Sequence, residues 1–193
     1  VYRQLEDQIL RNELKPGDEL PAERALSEQL GVNRGAVREA IKRLQQAGLV
    51  AVRHGGNSVV QDYLEKGGLE LLPTLLVNDK GKLNNAVVRS IMAMRSALAP
   101  DIPAGAARKP NPALAGELDA MVDRMRVQRG DIKALQNHAQ DFWRKLVEHG
   151  GNVAFRLAFN SMAKTYTQAW TVLTGVLAAE FRDIENLGGI APP

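Results

Sequence analysis

The chain has 193 residues, 45% of them hydrophobic and 24% charged, which is room for one large domain or two small ones with a buried core. It contains no cysteine, which removes disulfide frameworks, thiolate metal sites and cysteine nucleophiles and fits a reducing, cytoplasmic setting. Net charge is only +3, and no apolar run reaches the ~20 residues that a membrane-spanning helix needs.

The chain starts at Val1 with no charged-then-apolar leader, and the missing methionine reads as a fragment. Charge is spread unevenly. Residues 1–30 carry four bases against seven acids, whereas residues 34–53 carry five bases against Glu39 alone. A basic band beside an acidic one steers a single face toward phosphate. The same band also reads as a solvated helix face.

Leu5, Ile9 and Leu10 at helical spacing predict a helix over 2–14, stopped by Pro16-Gly17. A second helix is expected over 21–30, with Glu23 in its first turn, where the dipole favours an acid. Gly31 ends it, and Asn33 is a good N-cap for a third helix over 34–47, closed by Gly48. Val37, Ile41 and Leu44 form the buried stripe of that helix, while Arg34, Arg38 and Lys42 recur every four residues beside it. Two β-prone runs, 49–53 and 57–61, joined through His54-Gly55-Gly56, read as a hairpin.

Residues 62–68 are polar and glycine-rich and read as a linker. Every later segment is helical in pattern: 69–77, 83–99, 113–129, 131–148 and a long stretch from Asn152 to about Arg182, open to interruption near Gly175. Four prolines within 100–112 rule out a continuous helix there. The expected fold is mainly α: a winged helix-turn-helix over 1–61, a linker over 62–68 and an all-α helical bundle over 69–193. A winged helix-turn-helix lays its second motif helix in the major groove. The small tip at Gly55-Gly56 is able to approach a minor groove or serve simply as a turn.

The run from Leu14 to Arg34, with Pro16-Gly17, Leu20-Pro21-Ala22-Glu23-Arg24, Leu26-Ser27 and Leu30-Gly31-Val32-Asn33-Arg34, resembles the DNA-binding domain of the GntR superfamily. Val37-Arg38-Glu39-Ala40, Gly48-Leu49 and Arg53-His54-Gly55 continue the likeness through residue 60. It implies DNA contacts from Arg24, Asn33, Arg34, Gly35 and Arg38, with His54 and Gly55 at the wing tip. The family pattern often has Thr or Ser where this chain has Gly35 and Ala36. A phosphate contact there is then either lost or supplied by backbone N–H.

The second half resembles the effector domain of the FadR branch at Gly67-Gly68-Leu69-Glu70-Leu71-Leu72-Pro73, Arg95, Phe142-Trp143-Arg144, Gly151-Asn152 and Phe159-Asn160-Ser161-Met162 with Tyr166. The resemblance implies a homodimeric repressor that binds a palindromic double-stranded operator and lets go when a small acidic effector binds. A fatty acyl-CoA is the first effector it suggests, with a short carboxylate or sugar acid as the alternative. Such domains carry one or two more helices than this chain, so the last helices are expected to be missing. Arg95, Arg144, Arg156, Asn160 and Tyr166 are the expected effector-binding residues. A buried arginine needs a partner, either an acidic ligand or a structural acid such as Asp141 or Glu148. Trp143, Trp170, Phe155 and Phe159 read as plain core.

Many relatives hold a divalent metal with Asp-x-x-x-His on this helix and two later histidines. The matching positions here are Gln140 and Arg144, which do not suit the role. His138 and His149 are eleven residues apart, about 16 Å along one helix, too far to share an ion. No metal and no cofactor is expected. Phosphate loops, Gly-x-Ser-x-Gly, paired-histidine zinc motifs and credible triads are absent, and His138 with Asp141 reads as a surface pair, so the sequence points away from catalysis. A non-catalytic helical interaction protein is the remaining alternative, and salt-sensitive duplex binding separates it from a regulator.

Overall fold

The computed structural model describes residues 1–52, 57–77, 82–128 and 130–168. The chain divides into two compact units, Val1–Leu75 and Leu76–Pro193.

The first unit contains α1 (Tyr2–Leu10), α2 (Glu23–Leu30), α3 (Arg34–Gln46), strands β1 (Val50–Val52) and β2 (Ser58–Val60), and a single-turn helix α4 (Tyr63–Lys66). Its core gathers Leu5 and Ile9 from α1, Leu26 from α2, and Val37, Ile41 and Leu44 from α3, closed by Leu49, Val50 and Val60. Helix α2 ends at Gly31 and the α3 segment at Gly48, both in the left-handed region at φ 64° and 70°. The strands pair antiparallel, Val50 opposite Val60 and Val52 opposite Ser58. Residues 17–20, past the Pro16-Gly17 helix stop, run along the other edge of β2, with Gly17 N–H donating to Val60 and Leu20 N–H to Ser58. That extra pairing buries all three residues of β2.

The segment expected as a linker is partly helical. Asp62 caps α4 by accepting from Leu64 N–H at 2.9 Å, and Leu71, in a 3₁₀ turn over Leu69–Leu71, is 2% exposed in the first core. An apolar residue four positions past Gly67 gains more by burial than the polar segment gains by staying loose, so the unit boundary falls at Leu75.

Helix α5 (Leu72–Leu76) crosses the boundary, with Leu75 packed against the first core, and the second unit then contains α6 (Asn85–Leu98), α7 (Asp101–Ala107), α8 (Pro112–Val127), α9 (Ile132–Gly150) and α10 (Val153–Gln168). Asparagine and aspartate side chains cap four of them: Asn84, Asn111, Asp131 and Asn152 accept N–H groups of α6, α8, α9 and α10. The proline-rich stretch does break the helical path, at Ala99–Pro100 and again at 108–111, but a helix occupies Asp101–Ala107 between the breaks. Pro103 falls in its first turn, where no N–H is needed. Ile102 and Ala106 pack with Leu146, Val147 and Phe159 to form the core. Gly150 lies against α7, where a Cβ would make ordinary van der Waals contact with the Gly105–Ala106 backbone. The expected continuation from 169 toward Arg182, with Trp170 and Gly175, lies outside the described residues.

Candidate functional site

Each unit holds one group of candidate residues. In the first, Asn33 Oδ1 accepts the Ala36 N–H at 2.8 Å and sets where α3 begins. With Val37, Ala40, Ile41 and Leu44 turned into the core, Arg34, Arg38 and Lys42 stand on the exposed face. Arg38 reaches back to α2 and donates from Nε and Nη2 to the Glu23 carboxylate at 3.2 and 3.0 Å. That hydrogen bond, helped by the carboxylate's charge, pushes the guanidinium pKa up. Arg24 pairs along α2 with Glu28 at 3.0 Å, and both are well exposed. Arg34 and Lys42 make no hydrogen bond or ion pair among the described residues.

Gly35 sits where a Cβ would stand 3.2 Å from Asn33 Oδ1, a tight fit beside the cap. Because Asn33 occupies the Ala36 N–H, a backbone substitute for a missing hydroxyl has to come from Arg34 or Gly35, whose N–H groups lie in the unsatisfied first turn. His54 and Gly55 lie outside the described residues.

In the second unit, α6, α9 and α10 surround a cavity of about 90 Å³. Helix α9 lines it with Gln136, Gln140 and Trp143, and α10 with Phe159, Met162 and Tyr166, each set at three-to-four-residue spacing on one face. Arg95 enters from α6. Gln136 is 6% exposed, yet among the described residues its Oε1 has no hydrogen-bond partner, and the buried Tyr166 hydroxyl has none either. An orphaned buried polar atom costs about 1–3 kcal/mol. Both residues line the same cavity.

Two of the five expected effector residues, Arg95 and Tyr166, meet at this cavity. Arg144 and Arg156 do not line it. They pair with Asp141 and Glu148, the structural acids weighed from sequence, and stay about half exposed. Asn160 is exposed on α10. His138 bonds to Gln128 at 2.7 Å, so the expected pair with Asp141 does not form, because Arg144 holds that carboxylate. Trp143 and Phe159 serve both the core and the cavity wall. Among the described residues, no three His, Asp or Glu side chains gather as a metal site. Sequence reasoning missed Gln136 and gave Gln140 no part in a pocket. The available signal was two amides on the same stripe as Trp143.

Residues 1–60 match the family described as bacterial regulatory proteins, gntR family. Residues 61–173 match the FadR C-terminal domain. The chain is 39% identical to the HTH-type transcriptional regulator Mce2R of Mycobacterium tuberculosis over 93% of its own length and 74% of that protein. It is 31% identical to the fatty acid metabolism regulator protein of Pasteurella multocida, over 83% of this chain and 64% of that one. The structure of Lar, from Listeria monocytogenes, matches with a TM-score of 0.52 at 19% identity, covering 86% of this chain and 70% of that chain. The last likeness is one of fold.

Proposed function

Because the chain belongs to the GntR family of bacterial transcriptional regulators and carries a FadR C-terminal domain, we propose that it is a dimeric repressor released from a two-fold operator by a small acidic metabolite. The observation that carries the DNA half is the exposed row Arg34, Arg38 and Lys42 on α3, backed by a buried stripe on the same helix. Arg34 and Arg38 read base edges, Arg24 and Lys42 hold phosphates, and Asn33 and Gly35 fix the helix start against the backbone. His54 and Gly55 complete the contact from the wing. The effector half is supported by the cavity, where Arg95 offers a cation with no ion-pair partner among the described residues.

Two effector classes follow from different observations. The name of the Pasteurella relative supports a fatty acyl-CoA, with Arg144, Arg156 and Asn160 as surface partners for its polar part. The cavity, about 90 Å³, supports a short carboxylate or sugar acid, since sites for drug-sized ligands run to roughly 300–1,000 Å³. In either case the ligand acts by binding the DNA-incompetent arrangement more tightly, and moving a 1:99 population to 99:1 takes about 5.5 kcal/mol of preference. The test is selection of bound duplexes from a random pool, followed by release with long-chain acyl-CoAs and with short acids. An inverted-repeat consensus that one acid class dissociates is expected. Duplex binding without sequence preference, or indifferent to every acid, overturns the reading.

A further inference from the structure

The geometry points to a more specific occupant for the cavity of the second unit: a small hydroxycarboxylate, its anion on Arg95 and its hydroxyl on Gln136 and Tyr166. This rests on the cavity being the effector site. The polar lining defines the chemistry. Arg95 is half-buried and, among the described residues, makes no ion pair and shares the cavity with no acidic side chain. It therefore calls for an anion. Gln136 sits mid-helix on α9 at 6% exposure, and neither end of its amide is hydrogen-bonded among the described residues.

Oε1 only accepts, so the occupant has to donate there, while the Tyr166 hydroxyl both donates and accepts. A second carboxylate oxygen only accepts and leaves Oε1 unsatisfied. An alkyl chain leaves both atoms orphaned. An ammonium donates, but it cannot accept from Tyr166 and it stands in the same small space as the Arg95 charge. A hydroxyl donates to Oε1 and accepts from Tyr166, and it suits an amide in either orientation. The volume, about 90 Å³, limits the enclosed part to a few carbons.

The probes are butanoate, its 2-, 3- and 4-hydroxy derivatives and 4-aminobutanoate, titrated calorimetrically into the full chain. At least one hydroxybutanoate should bind tenfold or more tighter than butanoate, and the amine should not. Gln136→Leu and Tyr166→Phe should each erase most of that preference. Gln136→Leu should leave the ligand-free protein melting no lower than wild type, because it removes an orphaned polar atom. That separates a ligand contact from a structural one. Equal binding of butanoate and every hydroxybutanoate, no binding at millimolar concentration, or a preference that survives both substitutions overturns the assignment. Operator release is read in parallel. A hydroxybutanoate that binds selectively without displacing duplex contradicts the effector reading alone. Release by acyl-CoA or butanoate with no hydroxyl preference contradicts the hydroxyl assignment alone.

Discussion

Arg38 of α3 and Glu23 of α2 form a two-pronged ion pair across the two helices of the motif, with Nη2 3.0 Å from Oε2. Fifteen residues separate them, so the pair belongs to the tertiary fold rather than to one helix surface. It is largely exposed, and exposed pairs add little to stability. Under the proposed DNA contact its consequence is for recognition: Glu23 fixes the guanidinium plane and places a negative charge beside the basic row.

Glu23→Gln is therefore expected to leave the melting temperature nearly unchanged while lowering discrimination. Removing the carboxylate strengthens binding to random duplex through phosphate attraction and loosens the Arg38 fork. Anisotropy titrations on the selected operator and a scrambled duplex at one salt concentration check this. An unchanged ratio of the two affinities contradicts it.

Arg34 and Lys42 should differ in kind. Arg34→Ala should cost about 1–3 kcal/mol on the operator if it makes a bidentate guanine contact, and relax the preference at one base pair. Lys42→Ala should weaken operator and random duplex alike and lower the salt slope by about one. Identical behaviour of the two variants across salt and sequence would contradict the assigned roles.

Gly48 closes the α3 segment at φ 70°, and a Cβ there would run into the Lys66 carbonyl. Gly48→Ala combines left-handed strain of about 1–2 kcal/mol with a backbone collision that only movement of α4 relieves. Denaturant unfolding should show a loss of more than about 2 kcal/mol, and a midpoint shift within error contradicts the close packing.

Tyr2 donates to the buried Glu6 carboxylate at 2.7 Å, and the Arg43 guanidinium lies 4.2 Å from its ring centre. Burial first, then the Glu6 hydrogen bond, push the phenol from its ordinary 10.0 up to about 12. The unfolded chain gives up this proton at lower pH than the folded one, so the contribution is complete below about pH 10 and is lost as pH rises toward about 12. Between those values wild type should lose more stability than Tyr2→Phe. Parallel pH profiles contradict the pair.

The N-terminal unit was legible because its signals are local. Asn33 at a helix start, Gly31 and Gly48 at helix ends and the Val37–Leu44 stripe each act through near neighbours. Residues 17–20 as a third β-partner and Leu71 in the first core depend on distant contacts, which a linear reading does not show. In the second unit, charge drew attention to Arg144 and Arg156, whose acids lie three and eight residues away on the chain. The cavity instead relies on uncharged amides, Gln136 and Gln140, whose meaning depends on burial.

In the proposed repressor, occupancy of the cavity and DNA binding by α3 oppose each other. Linkage requires reciprocity: if the effector weakens operator binding by some factor, operator weakens effector binding by the same factor. Titrating the effector into the protein with and without saturating operator, at one salt concentration, measures it directly. Effector affinity should be lower on operator, by the factor seen in the release experiment. Equal affinities in the two titrations would contradict it.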